Sequence, residues 1–172
     1  MTTTQLLEKE FDPYYGLYIN KLDSKVQLVE GFEKGHTEVM RFFESIPEEK
    51  INYRYAANKW DSKEILQHLI DTERIFMYRC FRIARADKTP LAGFDQNIYI
   101  SPRTTHDKTI DSLLNEFSSG RDATILMLES FTSADLANIG NANGGAMSAR
   151  AAAFTIIGHE IWHMDIIKER YL

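Results

Sequence analysis

Four long segments carry apolar residues at helical spacing, a pattern that favours packed helices over any sheet. The first covers residues 24–46, with Val29, Phe32, Val39, Met40 and Phe43 on one face. The second covers 61–86 and carries Ile65, Leu69, Ile75, Phe76, Cys80 and Ile83. The third, 109–131, holds Ile110, Leu114, Phe117, Ile125 and Leu128, and the fourth covers 148–171. Together they occupy more than half of the 172 residues, well above the roughly one-third helix of an average domain. No segment alternates strongly enough to read as a strand. The expected fold class is therefore all-α: a four-helix bundle in one domain, residues 1–172, with long inter-helix connections.

Local signals sharpen the boundaries. Asp61 followed by Glu64 forms a capping box, and Trp60 before it is placed to staple onto Ile65. Ser148 is the expected cap of the fourth helix, after the turn-rich run 141–145. The stretch 87–108 is poorly helical and contains Pro90, Gly93 and Pro102; connections of that length are often binding loops or lids. The aromatic-rich residues 1–23, with Phe11, Tyr14, Tyr15 and Tyr18, are expected to pack on the bundle.

Bulk properties narrow the function classes. A formal net charge of -5 argues against a nucleic-acid binder, which needs a basic footprint. A single cysteine, Cys80, excludes an internal disulfide and suits a reducing compartment. The first residues hold no apolar signal core, and no stretch approaches the roughly 20 apolar residues of a membrane span. These features lead us to expect a soluble cytoplasmic chain that acts on a small molecule, with neither nucleic acid nor membrane as a partner. A symmetric homodimer is the default expectation.

The chemistry concentrates near residue 160. His159 and His163 stand four apart on the fourth helix, in one stripe with Ala152, Ile156 and Ile166. Such a pair points one way and can grip one metal ion; its plain alternative is two buried rings bonded to backbone or carboxylate. The stretch His159-Glu160-Ile161-Trp162-His163 also matches the short signature of zinc peptidases, but the extended form fails. Ile166 stands where its turn glycine belongs and Glu169 where its third histidine belongs. A third ligand must come from upstream, where His36, His68 and His106 are the candidates. His36 and His68 both lie by apolar faces, so facing does not choose between them.

Larger motifs bear on that choice. Tyr53-Arg-Tyr55, the run Lys59-Trp-Asp-Ser-Lys-Glu-Ile-Leu-Gln-His68-Leu-Ile-Asp-Thr-Glu73-Arg, Gly93-Phe-Asp95-Gln-Asn and Gly158-His-Glu-Ile-Trp-His163 resemble the DinB/YfiT-like family, as does the early Pro13-Tyr-Tyr-Gly-Leu-Tyr-Ile. The resemblance spans essentially the whole chain. It implies a four-helix bundle that binds one divalent metal through His68, His159 and His163, which leaves His36 as a neighbour or core residue. It also implies thiol chemistry, because characterised relatives include thiol-dependent S-transferases and a thiol-dependent isomerase.

Three neutral ligands leave a metal its full Lewis acidity and at least one open position. Zinc is the first expectation, and imidazole also suits nickel and iron. A low-molecular-weight thiol is the co-substrate that the resemblance implies, bound as a thiolate that attacks an electrophile. Metal-activated water, giving a hydrolase, is the alternative, and a non-catalytic metal- or ligand-binding bundle is the third reading. Other candidates for the pocket or its surroundings are Thr72, one turn from His68, and Asp95, Gln96 and Tyr99 in the second connection. Asp95 is the candidate acid or base, against the alternative of a loop cap. Asp71, Glu73 and Glu160 are candidates for orienting imidazoles. Arg121 interrupts an apolar stripe, so it either holds a substrate carboxylate or pairs with Asp71 or Glu73. Cys80 reads as a small core residue.

Overall fold

A computed structural model describes residues 1–100, 105 and 107–172 of the chain. Four long helices carry the fold: α1 (Leu28–Glu44), α2 (Ser62–Ala84), α3 (Ile110–Glu129) and α4 (Ala149–Arg170). Asp61 caps α2 as a reciprocal box: its Oδ1 accepts from the Glu64 amide at 3.0 Å, and Glu64 Oε2 accepts from the Asp61 amide at 2.9 Å. Arg54 donates to both carboxylates, at 2.8 Å and 2.6 Å. Thr109 and Ser148 cap α3 and α4 by accepting from the amides of Ser112 and Ala151. At its far end α2 stops at Ala84 rather than 86. Ala86 turns left-handed, with φ 59°, and the amides of Ala86 and Asp87 fold back onto the carbonyls of Ile83 and Arg82.

The first helix departs most from expectation, starting at Leu28 rather than 24. Asp23 Oδ1 accepts from the Lys25 amide, and the Val26 amide turns onto the Asp23 carbonyl. Gln27 forms an antiparallel bridge with Thr2. Backbone engaged in these local bonds cannot also continue a helix. Pro47 lies three residues beyond the end of α1 and opens the short helix Glu48–Ile51.

Two consecutive pairs, α1 with α2 and α3 with α4, are not neighbours in this bundle. α2 packs mainly on α3 and α4, and α1 likewise packs on α3 and α4. α1 and α2 therefore occupy one diagonal and α3 and α4 the other. The chain must cross the end of the bundle to pass along a diagonal, which explains the length of those connections.

The all-α bundle is as expected, and one small hairpin is added to it. Residues 139–148 form a hairpin, β1 (Ile139–Ala142) antiparallel to β2 (Gly145–Ser148), with Ala142 opposite Gly145. The two turn residues, Asn143 and Gly144, both have positive φ, 56° and 82°. Asn-Gly is the pair that best tolerates this geometry. The flanking strands are four residues each, too short to reveal an alternation. The hairpin gathers distant segments: Phe11 bridges to Met147, and Leu91 to Ala142.

α4 is the central element, buried over most of its length and on most of its faces. The helical turn Gly16–Ile19 lies directly on it, so that a Cβ at Gly158 would collide with the Tyr18 carbonyl. This close approach buries Tyr15, Tyr18 and Ile19 in the same core as Phe32, Phe76 and Phe154. Gly158→Ala is expected to lower stability by about 1–3 kcal/mol, read as a lower urea midpoint. Gly120→Ala in α3 meets open space, and should leave the midpoint unchanged or raise it slightly.

Candidate metal centre

Thr72 stands one helical turn beyond His68 on α2, and α4 carries His159 and His163 one turn apart. α2 and α4 are packed together, so the three rings converge. His159 Nε2 lies 3.1 Å from His68 Nε2 and 3.0 Å from His163 Nε2. One ligand atom from each ring falls within 4.8 Å of the others, an arrangement that could hold a metal ion. A tetrahedral ion with Zn–N bonds of about 2.0–2.1 Å would space its ligand nitrogens by roughly 3.3 Å. Hydrogen bonding alone serves this cluster badly. An imidazole nitrogen offers either one proton or one lone pair, so the central His159 Nε2 cannot make two full-strength bonds. A cation at the centre satisfies all three lone pairs together.

Burial prepares the rings for that role. It lowers His68 to about 4, while burial and the neighbouring His68 lower His163 to about 3. His159 lies well below its ordinary value for the same reasons, with both other rings opposing its charge. All three are therefore neutral at neutral pH and need lose no proton to bind an ion. Aromatic packing orients them. Trp60 lies 4.8 Å from His68, Tyr18 sits edge-on to His159 at 5.0 Å, and Trp162 edge-on to His163 at 4.7 Å. The Thr72 hydroxyl is 3.4 Å from His68 Nδ1. The rings open onto a cavity of about 470 Å³ whose wall also includes Phe76, Arg79, Phe94 and Gln96. That volume suits a small organic molecule.

The sequence matches the family model described as the DinB superfamily over residues 32–167. The chain belongs to the DinB superfamily. Among solved structures it is similar to YfiT from Bacillus subtilis, described as a probable metal-dependent hydrolase with an unusual four-helix bundle topology. The TM-score is 0.73 at 12% identity, over 90% of this chain and 95% of that one, a likeness of fold. No curated protein matches the sequence.

On this superfamily scaffold the remaining sequence candidates divide. Thr72 and Gln96 lie in the cavity wall, whereas Asp95, Asp71, Glu73, Tyr99, Arg121, Glu160 and His36 do not. Asp95 is exposed and caps the short helix Gln96–Tyr99 by accepting from the Asn97 amide, the loop-cap alternative. Tyr99 stacks on Phe94. His36 bonds Ser118 Oγ at 3.0 Å and packs against Phe117, on the α1–α3 side of the bundle. His106 lies outside the described residues. Asp71 accepts from Gln67 and Arg74 rather than from an imidazole.

Glu73 and Glu160 serve Arg121. The Arg121 guanidinium is 0% exposed; it donates to Glu73 at 2.9–3.3 Å, to the Phe32 carbonyl at 3.2 Å, and to Glu160. Burial pushes the Glu160 carboxyl up, against the pull of Arg121. This is the paired-arginine reading with a second carboxylate added, and it removes Arg121 from substrate contact. Glu160, about 100° round α4 from His159, faces this knot.

Several residues of the cavity escaped the sequence reading. Phe76 and Arg79 continue the stripe begun by His68 and Thr72, so that spacing was the available signal. Tyr18 and Phe94 gave none, because their positions depend on how their segments dock.

Two outcomes test this arrangement. In metal-free protein the folded rings stay neutral, while the unfolded chain takes up protons near the ordinary histidine value of 6.5. The unfolded state then binds more protons, so stability is expected to fall as pH drops from about 6.5 to about 4. Urea midpoints across that window should decline in the wild type and decline less in a His68→Leu, His163→Leu variant. Arg121→Met leaves two glutamates buried without a counter-charge and should cost about 3–5 kcal/mol. Adding Glu73→Gln and Glu160→Gln should restore part of that loss in the same assay.

Proposed function

We infer that the chain is a metal-dependent enzyme of thiol S-transferase type, joining a low-molecular-weight thiol to an electrophilic small molecule. The observation that carries the metal dependence is the convergence of three neutral imidazole nitrogens, with no carboxylate among them, beside a ligand-sized cavity. His68, His159 and His163 would hold one divalent ion, zinc first, with nickel and iron as alternatives. Such an ion supplies Lewis acidity, which ionises a coordinated thiol or water at neutral pH. The protein supplies the rest. Trp60, Tyr18 and Trp162 pack against the three rings and fix their planes, and Thr72 restrains His68.

Two observations bear on the choice of reaction. Among the described residues the cavity wall contains no aspartate or glutamate. Hydrolysis ordinarily needs a group to relay the proton of the attacking water. A thiol coordinated there would release its proton to solvent before the reaction and would attack as the thiolate with no such relay, which favours a thiol as the nucleophile. Hydrolysis is the second reading, favoured by the description of YfiT as a probable metal-dependent hydrolase.

Metal analysis and turnover separate these readings. Wild-type protein is expected to carry about one divalent ion per chain and His68→Ala little. Equal metal content in both would remove His68 from the site. Metal-loaded protein would then be assayed with an electrophile and a panel of thiols, and with esters and amides in the absence of thiol. Thiol-dependent turnover that falls at least about 100-fold in His163→Ala is the expected result. Thiol-independent turnover would establish the hydrolase. No turnover, with a large loss of thermal stability on chelation, would leave a structural metal.

A further inference from the structure

Among the described residues two arginines are deeply buried, and they are treated very differently. Arg121 is enclosed by two carboxylates and a carbonyl. Arg79 is 2% exposed and has no carboxylate within ion-pair distance among the described residues. Its Nη2 donates to the Ala92 carbonyl at 3.0 Å, while its Nη1 is buried with no hydrogen-bond partner among the described residues. The guanidinium lies over the rings of Phe76 and Phe94, at 4.9 Å and 5.6 Å. Those contacts offset only part of the cost of a charge that cannot be relieved by losing a proton. Arg79 is also part of the wall of the cavity that holds the three histidines.

We propose that Arg79 is the anion-binding residue of this cavity, and that the ligand carries a carboxylate at the end remote from the histidines. A guanidinium with a free nitrogen is shaped for a planar carboxylate. The position on α2 supports the assignment. His68, Thr72, Phe76 and Arg79 follow one another at helical spacing, so they line one face. Eleven residues of helix separate His68 from Arg79 by about 16 Å along the axis. Side chains lean toward the N-terminus of their helix, which brings the guanidinium back toward the histidines. The ligand therefore has its reacting atom and its anionic group several bonds apart, with an apolar middle against Phe76 and Phe94. The inference rests on the enzymatic reading for its purpose. The binding it describes needs only the cavity.

Ligand-observed NMR titration tests it with two matched pairs of probes. Metal-free protein is titrated with phenylacetate and with phenylacetamide, which differ in charge at nearly equal size. Zinc-loaded protein is titrated with 3-mercaptopropionate and with 2-mercaptoethanol. The carboxylate member of at least one pair is expected to bind about 10-fold more tightly. Arg79→Gln should abolish that preference without weakening the neutral probe, and Arg79→Lys should keep part of it. A preference confined to the thiol pair assigns the anion to the thiol; one confined to the first pair assigns it to the other substrate. Equal affinities within both pairs for the wild type would overturn the proposal, whether or not Arg79→Gln folds. So would a preference that persists in Arg79→Gln, leaving Arg79 as an anchor for the loop at Ala92. Carboxylate preference in a protein that takes up no metal would reject the enzymatic reading alone. Metal uptake and turnover without preference would reject only the anion site.

Discussion

One guanidinium ties the bundle together. Arg121 projects from α3 and bonds Glu73 of α2, Glu160 of α4 and the Phe32 carbonyl of α1. All four long helices thus meet at a single buried charge. Glu73 is adjacent to Thr72, and Glu160 is adjacent to His159. Holding those two carboxylates on one cation therefore sets α2 and α4 in both rotation and height. With Glu160 turned toward Arg121, the helical rotation per residue turns His159 and His163 toward α2. The histidine cluster is in this sense the reverse side of the ionic knot.

The two sides of α4 illustrate opposite uses of burial. On one side burial is matched with opposite charge, and Arg121 keeps its proton in the interior. On the other, three rings are buried with one another and with aromatic neighbours, and burial drives them to the neutral form. A neutral imidazole presents a lone pair, so the packing that buries the rings also readies them as ligands. Connecting segments contribute as well: the one between the neighbours α2 and α3 brings Phe94 and Gln96 to the cavity, and the N-terminal turn brings Tyr18.

Sequence and structure agree where the information is local. The capping box at Asp61, the cap at Ser148, and the common facing of His159 and His163 are all relations within four residues. Disagreement appears where a segment has two local options. Residues 24–27 have apolar spacing compatible with helix, yet Asp23 captures the nearby amide and Thr2 pairs with Gln27. Asn143 and Gly144 were visible as a turn, but the strands on either side are stabilised by Phe11 and Leu91, far away in the chain.

By itself the sequence determined four amphipathic or buried helices, the caps of the second and fourth, and a histidine pair one turn apart on the last of them. Periodicity fixes how each side chain points about its own helix axis, and this is all those features require. It carries no information about which other helix that face will meet. Only the tertiary structure turned His36 to Ser118 and His68 to His159, made Glu160 a partner of Arg121, and left Arg79 buried with its Nη1 unpartnered among the described residues. Those outcomes depend on distances between residues many tens of positions apart, which packing of the whole bundle sets.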